Sequence, residues 1–288
     1  MSHGLILFPR STPGGAVSAF NWWQEAAYNH GLHATIGFFE ELTLTVGIEG
    51  KFEMRCKHRP INPEWVIMRG YADIPGKFWE MEGIPVVNST ESMQLSRNKM
   101  LTHGALSAAG IPTPPTIWAG SHISYAKATE LLGTDKLVIK ALQGSKGESV
   151  WLAEEEIEYD RICSKSDGEI LIQKYIAESF GRDLRIWVID GKAAGCVMRS
   201  SATDFRSNFS LGGKATLYDA PPEAIALAER AATTLGLFFA GVDLLFTSDG
   251  FTVCEVNGNA GFRTLSACGG PDILDIFFSR FNDYRRKI

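Results

Sequence analysis

The sequence predicts an α/β protein that begins with a small open sheet and continues through antiparallel hairpins. Three observations support this fold class. Short apolar runs bounded by polar residues, glycine or proline recur over residues 1–88, hairpin signals follow in the middle of the chain, and a long hairpin spans residues 241–261. A chain of 288 residues can bury a large core, which we expect to be divided over two or three subdomains.

The N-terminal part is predicted to form strands around one helix. The expected strands are residues 5–8, 34–39, 65–68 and 85–87, and the expected helix is residues 16–30. No Gly-x-Gly-x-x-Gly follows the first strand, which argues against a dinucleotide-binding domain. Arg10 and Arg69 each follow the end of a strand, where open sheets bind ligands. We interpret Arg10 as a surface or salt-bridged arginine, whereas for Arg69 a ligand role and a structural role both stay open.

A domain boundary is predicted near Asn88. Residues 88–91 offer N-cap chemistry for a helix, which carries Lys99 and stops at Gly110. Residues 111–115 read Ile-Pro-Thr-Pro-Pro and form an extended linker. The spacing of the residues around Lys99 does not by itself assign a function to this lysine.

A glycine loop joins two predicted strands in the middle of the chain. The first strand ends in Lys140, residues 143–149 read Gln-Gly-Ser-Lys-Gly-Glu-Ser, and residues 150–153 form the second strand. A Walker loop opens a helix, so a P-loop NTPase is excluded. The remaining interpretation is a flap whose backbone N–H groups can surround phosphates.

Polar segments follow this flap. Residues 169–176 read as a buried strand that runs into a loop, where edge amides can meet a flat base. Asp183 and Arg185 then share one face of the next strand. Arg199 and the segment 205–208 come before a pair of glycines, and polar loops of this kind carry function more often than packing.

The closing hairpin can adopt two registers. If residues 249–250 form the loop, Asp243 and Glu255 point to opposite faces; if residues 248–250 form it, these carboxylates lie opposite each other and Asn257 follows on the same face. Like charges placed opposite each other are destabilising, so the second register predicts a bound cation, for which magnesium fits best. The alternative is a half-exposed strand whose carboxylates face solvent.

The composition narrows the class of protein. Hydrophobic residues make up 45% of the chain and charged residues 21%, and the net charge of -5 argues against a nucleic-acid binder. The five cysteines form no Cys-x-x-Cys pair, so neither a disulfide framework nor a zinc site is expected. Because no stretch reaches membrane-spanning length and the first apolar run is too short for a signal peptide, we expect a soluble cytoplasmic protein.

Taken in order, these motifs resemble the ATP-grasp superfamily and, within it, the RimK-like ligases that include the ribosomal-protein glutamate ligase. The matching segments are Gly181-Arg182-Asp183-Leu184-Arg185, Phe205-Arg206-Ser207-Asn208 with Gly212-Gly213, Ala240-Gly241-Val242-Asp243 and Glu255-Val256-Asn257. The resemblance extends from about Asn88 to the C-terminus. It implies an N-terminal domain over residues 1–88, a central ATP-grasp subdomain with the flap over residues 89–172, and a C-terminal subdomain with the metal site over residues 173–288. The two subdomains would clasp the nucleotide.

The resemblance also implies a role for each matching residue, and it selects the three-residue loop of the hairpin. The phosphates of ATP would contact two lysines and the flap, at Lys99, Lys140, Gly144, Ser145 and Gly147. Adenine and ribose would contact the backbone of Lys174, Tyr175 and Ile176 and the side chain of Asp183. The phosphate and the reacting carboxylate would face Arg206, Ser207 and Asn208, of which Arg206 and Asn208 would be catalytic. Magnesium would bind Asp243, Glu255 and Asn257, and the substrate would contact Arg69, Arg199, Gly258 and Asn259.

The sequence departs from the family pattern at two places. The flap has Ser149, preceded by Glu148, where relatives have a third glycine. Residues 258–263 read Gly-Asn-Ala-Gly-Phe-Arg where relatives continue toward Ser-Pro-Gly. Since this second loop lies where the acceptor should approach, the acceptor is not specified.

The implied reaction is ATP-dependent joining of a carboxylate to an amine through an acyl phosphate. It would add an amino acid such as glutamate to a peptide, protein or small molecule, with ATP and two magnesium ions, or manganese, as cofactors. The expected partners are an amino acid and a carboxylate-bearing molecule, with no nucleic acid and no membrane, and a homo-oligomer is compatible with the motifs. The rival hypotheses are a kinase that phosphorylates a small molecule and a non-catalytic ATP-binding regulator.

Overall fold

The computed structural model describes residues 2–10, 16–48, 51–142, 149–165, 169–207 and 213–287. Its N-terminal elements are β1 (Ser2–Phe8), α1 (Ala16–Asn29), β2 (Leu32–Phe38), a 3-10 turn (Phe39–Glu41), β3 (Leu42–Ile48), β4 (Lys51–Cys56), β5 (Arg59–Pro60), β6 (Val66–Met68), α2 (Asp73–Met81) and β7 (Val86–Val87). Strands β2, β1, β6 and β7 pair in parallel in that order and form the N-terminal sheet. The predicted open α/β sheet is therefore confirmed.

A second, antiparallel sheet beside it was not predicted. It consists of β3, β4 and β5. The sequence did hold a signal, since the Leu-Thr-Leu-Thr-Val alternation of β3 is typical of a half-buried strand. Arg10, interpreted as a surface arginine, lies 2.6 Å from Glu41 in a salt bridge, with 61% of its side chain exposed.

Two helices rather than one follow the N-terminal sheet. They are α3 (Thr90–Arg97), capped by Ser89, and α4 (Lys99–Ala108), whose backbone N–H groups donate to Asn98 Oδ1. Asn98 ends one helix and begins the next, so Lys99 is the first residue of α4. Its side chain therefore starts from the positive end of a helix dipole.

The central sheet is antiparallel, with strands in the order β10, β9, β11 and β8. Its elements are β8 (Thr116–Trp118), α5 (Tyr125–Leu132), β9 (Leu137–Ala141), β10 (Val150–Ala153), α6 (Glu156–Ser164) and β11 (Ile170–Lys174). Helices α5 and α6 share one apolar core with this sheet. Strands β9 and β10 lie where the sequence predicted the two strands beside the flap.

The C-terminal sheet is also antiparallel, in the order β14, β13, β12, β15 and β16. After a 3-10 turn (Ala177–Ser179), its part of the chain contains β12 (Arg182–Ile189), β13 (Lys192–Ser200), β14 (Lys214–Leu217), α7 (Pro222–Thr234), β15 (Phe239–Thr247), β16 (Gly250–Asn257), α8 (Arg263–Ala267) and α9 (Ile273–Tyr284). Helix α7 packs its alanine-rich face on this sheet. None of the helices in the described part of the chain is long and apolar enough to cross a membrane.

The last helix packs against the first domain. Phe277, Phe278 and Phe281 of α9 are buried in one cluster with Trp23 and Trp65 of the N-terminal part. Each fully buried phenylalanine contributes roughly 1.5–3 kcal/mol relative to exposure, so α9 stabilises the contact between the two ends of the chain.

In chain order, the last strand of the central sheet is β11, which ends at Lys174. The domain boundaries at residues 88 and 172 stay predictions.

Candidate active site

A cavity lies between the central sheet and the C-terminal sheet. Its wall also includes the start of α4 and the loop after β13. The predicted site residues on this wall are Lys99, Lys140, Lys174, Tyr175, Ile176, Asp183, Arg199, Arg206, Ser207, Asp243 and Glu255. Four further predicted site residues lie outside the described residues, namely Gly144, Ser145, Gly147 and Asn208.

Two lysines face this cavity from different elements. Lys140 is 7% exposed on β9, and its Nζ donates to Gln173 Oε1 at 2.7 Å. Burial lowers the pKa of Lys99, the opposing charge of Glu255 raises it, and the charge of Lys140 lowers it further, with a net result below the usual value. Two cations on a partly desolvated wall repel each other, and a polyanion relieves that repulsion. This part of the wall therefore suits phosphate groups.

The end of β11 offers fewer free amides than the sequence suggested. The N–H of Lys174 donates to Pro115 O at 2.9 Å, and the N–H of Tyr175 donates to Lys136 O at 3.2 Å. Both groups are committed to neighbouring backbone. A flat base at this edge would therefore meet the Ile176 N–H and the carbonyl groups of the segment.

Four charged residues on neighbouring strands form a buried network. Arg185 donates to both carboxylate oxygens of Asp243 at 2.6 Å, and Arg199 donates to Asp183 at 2.7 and 2.5 Å. Arg199 also lies 2.8 Å from Asp243 and so bridges the two carboxylates. Burial acts to raise the pKa of Asp243, but the charges of Arg185 and Arg199 outweigh it and hold that pKa below its usual range. Asp243 is therefore ionised at neutral pH.

Two predicted site residues, Arg199 and Asp183, bind each other in this network. Arg199, a predicted substrate contact, has a side chain only 5% exposed and already bridges two carboxylates. Asp183, a predicted ribose contact, accepts both of its charged hydrogen bonds from Arg199. A ribose hydroxyl would share the Asp183 carboxylate with that arginine rather than meet a free one.

The closing hairpin has a shorter loop than the resemblance selected. Thr247 pairs with Gly250, so residues 248–249 alone form the loop. Gly250 adopts a φ of 128°, a conformation that favours glycine. The predicted three-residue loop over residues 248–250 is wrong.

A bulge nevertheless brings the two carboxylates together. With the short loop alone, Asp243 would face Cys254, but the register shifts between Asp243 and Leu244. Cys254 becomes the extra residue on β16, and Asp243 pairs with Glu255. The predicted pairing of these carboxylates is confirmed, and Asn257 follows Glu255 on the same face.

These side chains fit a magnesium ion in donor type. Magnesium takes oxygen ligands, usually one or two carboxylates, and completes its shell with water and phosphate. The described residues hold no group of three or more His, Cys, Asp or Glu placed to bind a metal. With Glu255, the network has three carboxylates against two arginines and therefore one net negative charge. Asn257 Oδ1 accepts from the Asn259 N–H at 2.8 Å, which fixes the amide on this face.

Arg206 connects the loop after β13 with the strand that leaves the flap. Its Nε and Nη2 donate to Asp204 at 3.0 and 2.7 Å, and its Nη1 donates to Val150 O at 3.3 Å. Val150 begins β10, and Ser207 is buried beside the arginine. The guanidinium is thus held at the cavity wall, close to the base of the flap.

Asn88 anchors the loop after β16, a role that the sequence did not indicate. Its Oδ1 accepts from the Phe239 N–H at 2.9 Å, and its Nδ2 donates to Phe239 O at 2.8 Å and Gly258 O at 2.7 Å. A Cβ at Gly258 would lie 2.8 Å from Met93 Sδ and 2.9 Å from Leu237 Cδ2. The close approach therefore favours glycine at the first position of this loop, because a Cβ there would fit only if the Met93 and Leu237 side chains moved.

Arg69 holds the same loop from the N-terminal sheet. Its guanidinium lies between the rings of Trp23 and Phe239, 5.1 and 5.3 Å from their centroids, and donates to Ala260 O at 2.8 Å. Burial lowers the pKa of Arg69 to about 10, and its electrostatic partner among the described residues is a tyrosine rather than a carboxylate. Asn259 Oδ1 is buried without a hydrogen-bond partner among those residues. The Arg69 guanidinium and Asn259 Oδ1 therefore lie at the loop where a substrate would approach.

A family model for the RimK-like ATP-grasp domain matches residues 96–276. The chain belongs to the RimK-like ATP-grasp family. The matched range begins shortly before Lys99 and includes both sheets around the cavity. The resemblance inferred from the motifs is confirmed.

Named relatives of this RimK-like chain include two kinds of enzyme. Probable alpha-L-glutamate ligase 1 of Shewanella amazonensis is 36% identical over 199 residues, which span 68% of this chain and 66% of that protein. N-acetylaspartylglutamate synthase A of Mus musculus is 33% identical over 256 residues, which span 82% of this chain and 66% of that protein. The chain therefore spans just under two thirds of the length of both relatives.

Solved structures confirm the ATP-grasp fold. The ATP-grasp ligase PsnB complexed with minimal precursor has a TM-score of 0.74 and 20% identity, covering 98% of this chain and 99% of that one. The D-alanine–D-alanine ligase of Bacillus anthracis complexed with ATP has a TM-score of 0.73 and 18% identity, covering 100% and 99%. The fold class predicted from the sequence is confirmed.

Proposed function

We propose that this RimK-like protein is an ATP-dependent carboxylate-amine ligase that forms an amide bond. One observation carries the proposal: a single cavity joins a pair of repelling lysines to a pair of opposed carboxylates. Lysines of this kind bind phosphate, and opposed carboxylates bind the divalent cation that accompanies ATP. A polyanion would relieve the repulsion between the two lysines, and a divalent cation would offset the negative charge that Glu255 adds beside Asp243.

In the proposed enzyme, positioning and charge do most of the work, because phosphoryl transfer needs little covalent chemistry from side chains. Lys99 and Lys140 bind the phosphates, and Ile176 offers its N–H to adenine. Two magnesium ions held by Asp243, Glu255 and Asn257 would neutralise charge on the phosphates.

Arg206 is proposed to act on the reacting group, and Asn208, which lies outside the described residues, keeps the catalytic role that the family resemblance implies. One substrate's carboxylate oxygen displaces ADP from the γ-phosphate and forms an acyl phosphate. The amine of the second substrate then displaces phosphate, loses a proton and forms the amide. Arg206 stabilises the charge that develops at the acyl phosphate.

The names of the relatives support glutamate as the amino acid that is added. The acceptor is a small molecule or a peptide, since one relative is named for a small dipeptide and PsnB was solved with its precursor. Arg69 and Asn259 lie beside the loop after β16 rather than on the cavity wall, and we assign them to the substrate because Arg69 donates to Ala260 O through Nη2 and has further N–H groups, while Asn259 Oδ1 is buried without a donor among the described residues. Gly258 and Arg199 complete the predicted substrate set.

A screen for ADP release tests the function. The full chain is supplied with ATP, magnesium, one amino acid at a time and a set of carboxylate-bearing small molecules and peptides. Amine-dependent ADP release, with a product heavier by one amino acid less water, is the expected result. Amine-independent release with a stable phosphorylated product would indicate a kinase, and no release with any pair would indicate a binding protein.

Nucleotide binding is expected to weaken with rising pH earlier than an ordinary lysine would cause. Because the pKa of Lys99 is lowered, its ammonium loses the proton sooner as pH rises, and phosphate favours the charged form. Titration calorimetry with ADP and magnesium should show the dissociation constant rising with pH, starting below the range in which an ordinary lysine titrates.

In the Lys99→Arg variant the guanidinium stays charged over this range, so the rise should move to higher pH. Identical pH profiles for the two proteins would contradict a phosphate contact by Lys99.

A further inference from the structure

A buried histidine lies behind the phosphate-binding wall, outside the cavity. His103 is on α4, one turn after Lys99, and is 4% exposed. Burial, together with the charges of Lys140 and Lys99, lowers its pKa to about 3. His103 is therefore neutral at physiological pH and has no role in the proposed reaction.

The hydrogen bonds around Gln173 fix which atoms donate. The Lys140 ammonium can only donate, and it lies 2.7 Å from Gln173 Oε1. The Gln173 amide nitrogen therefore points away from Lys140, toward His103 Nε2 at 3.1 Å and Thr116 Oγ1 at 2.9 Å. Because that nitrogen only donates, His103 Nε2 must accept, and the imidazole proton lies on Nδ1.

This tautomer leaves a cost that needs an explanation. His103 Nδ1 is buried without a hydrogen-bond partner among the described residues. An unsatisfied buried donor destabilises the fold, and an apolar side chain of similar size would avoid this cost. The other ring nitrogen accepts from Gln173, and this hydrogen bond is the benefit that we set against the cost.

The geometry indicates what that benefit is. If the Gln173 amide were reversed, its NH2 group would face the Lys140 ammonium. The acceptors on the other side of Gln173 bind this NH2 group and therefore hold the amide oxygen toward the lysine. The Thr116 hydroxyl donates to Pro114 O at 2.7 Å and is thereby left as an acceptor for the same amide. The Lys140 ammonium is also 3.5 Å from Cys254 Sγ, the bulged residue on the opposite wall.

We propose that His103 is a positioning residue for the nucleotide: by accepting from Gln173, it holds the Lys140 ammonium in place at the cavity wall. The inference rests on the proposed contact between Lys140 and a nucleotide phosphate. His103 acts through two hydrogen bonds in series and touches no substrate.

The first test compares two substitutions at the same site. His103→Leu removes the acceptor, whereas His103→Gln keeps one as an amide oxygen. Calorimetry with ADP and magnesium should show about fivefold weaker binding for His103→Leu, the value of one net hydrogen bond, and near wild-type binding for His103→Gln. His122→Gln is the matched control, because His122 is an exposed histidine beside Asp160. Equal affinity of wild type and His103→Leu would overturn the inference.

A double-mutant cycle separates positioning from a general effect on folding. In a Lys140→Met background there is no ammonium to position, so His103→Leu should cause no further loss of ADP affinity. An equal loss in both backgrounds would overturn the inference and make His103 a structural residue. Should His103→Leu not fold, Thr116→Val removes the other acceptor of Gln173 and is tested in the same cycle with the same expectation.

The cycle also separates this inference from the proposed function. If Lys140→Met binds ADP as tightly as wild type, the phosphate contact of Lys140 is wrong and the role of His103 is wrong with it. If Lys140→Met binds poorly while His103→Leu and Thr116→Val bind normally, the proposed function stands and only the positioning role is rejected.

Discussion

The Asp243→Asn variant is expected to lose about 1,000-fold in kcat, which corresponds to about 4 kcal/mol of lost charge stabilisation. Asparagine keeps the shape of the side chain and removes its charge. Asp243 faces Glu255 in the proposed magnesium site, and it accepts from Arg185 and Arg199. Without the charge of Asp243, the two remaining carboxylates of the network would only balance its two arginines. The network would then be neutral rather than negative and would attract a cation less strongly. The ADP-release assay, repeated over a series of magnesium concentrations, measures the effect.

The same variant should be less stable. The side chains of Asp243 and Arg199 are 4% and 5% exposed, and removing one partner of a buried ion pair costs about 3–5 kcal/mol. The low pKa of Asp243 makes this contribution present above the ordinary range of an aspartate and lost as pH falls through the lowered pKa. Urea unfolding at neutral and acidic pH should therefore show a smaller difference between variant and wild type in acid.

Glu255→Gln is the matched control for these two effects. It removes a carboxylate from the same face, but no salt bridge joins Glu255 to an arginine among the described residues. We expect a comparable loss of kcat with a change in unfolding free energy within about 1 kcal/mol. Normal turnover of Asp243→Asn at saturating magnesium would contradict the metal role of this face. Equal destabilisation by both variants would contradict the account of the arginine network.

The hairpin shows why the sequence predicted a contact correctly and its cause wrongly. Alternation gives the face of each side chain only if the register is known, and the register depends on the turn and on bulges. Nothing local in the sequence marks Cys254 as an extra residue. The pairing of Asp243 with Glu255 was therefore predicted through a three-residue loop that does not form.

Contacts between segments that are distant along the chain could not be predicted from the sequence. Arg185 was recognised as sharing a face with Asp183, but its partner Asp243 lies on a strand far along the chain. Asn88 was recognised only as part of a cap, and its hydrogen bonds to Phe239 and Gly258 appear only once the domains pack. Local patterns, by contrast, gave the flanking strands of the flap and the N-terminal sheet, because apolar periodicity is a property of the segment itself.

Arg206→Ala is expected to lower turnover on the order of 100- to 1,000-fold while nucleotide affinity stays nearly unchanged, the effect typical of removing one preorganised donor. Among the described residues, the guanidinium is oriented by Asp204 and by Val150 O. Its side chain is 26% exposed, so loss of its salt bridge should cost no more than about 1 kcal/mol of stability. Single-turnover ADP release measures the chemical step, and calorimetry with ADP measures affinity.

Asp204→Asn tests whether the orientation of the Arg206 guanidinium matters in addition to its presence. The substitution leaves the arginine intact but weakens the carboxylate that holds its Nε and Nη2, so turnover should fall by less than in Arg206→Ala. Arg206→Lys keeps the charge and loses the planar fork, and an ammonium cannot donate to Asp204 and Val150 O in the same geometry. Turnover should therefore rank wild type first, Asp204→Asn next, Arg206→Lys below it and Arg206→Ala last. Near-normal turnover of Arg206→Ala, or a parallel loss of nucleotide affinity, would show that this arginine serves binding or packing rather than the charge that develops during transfer.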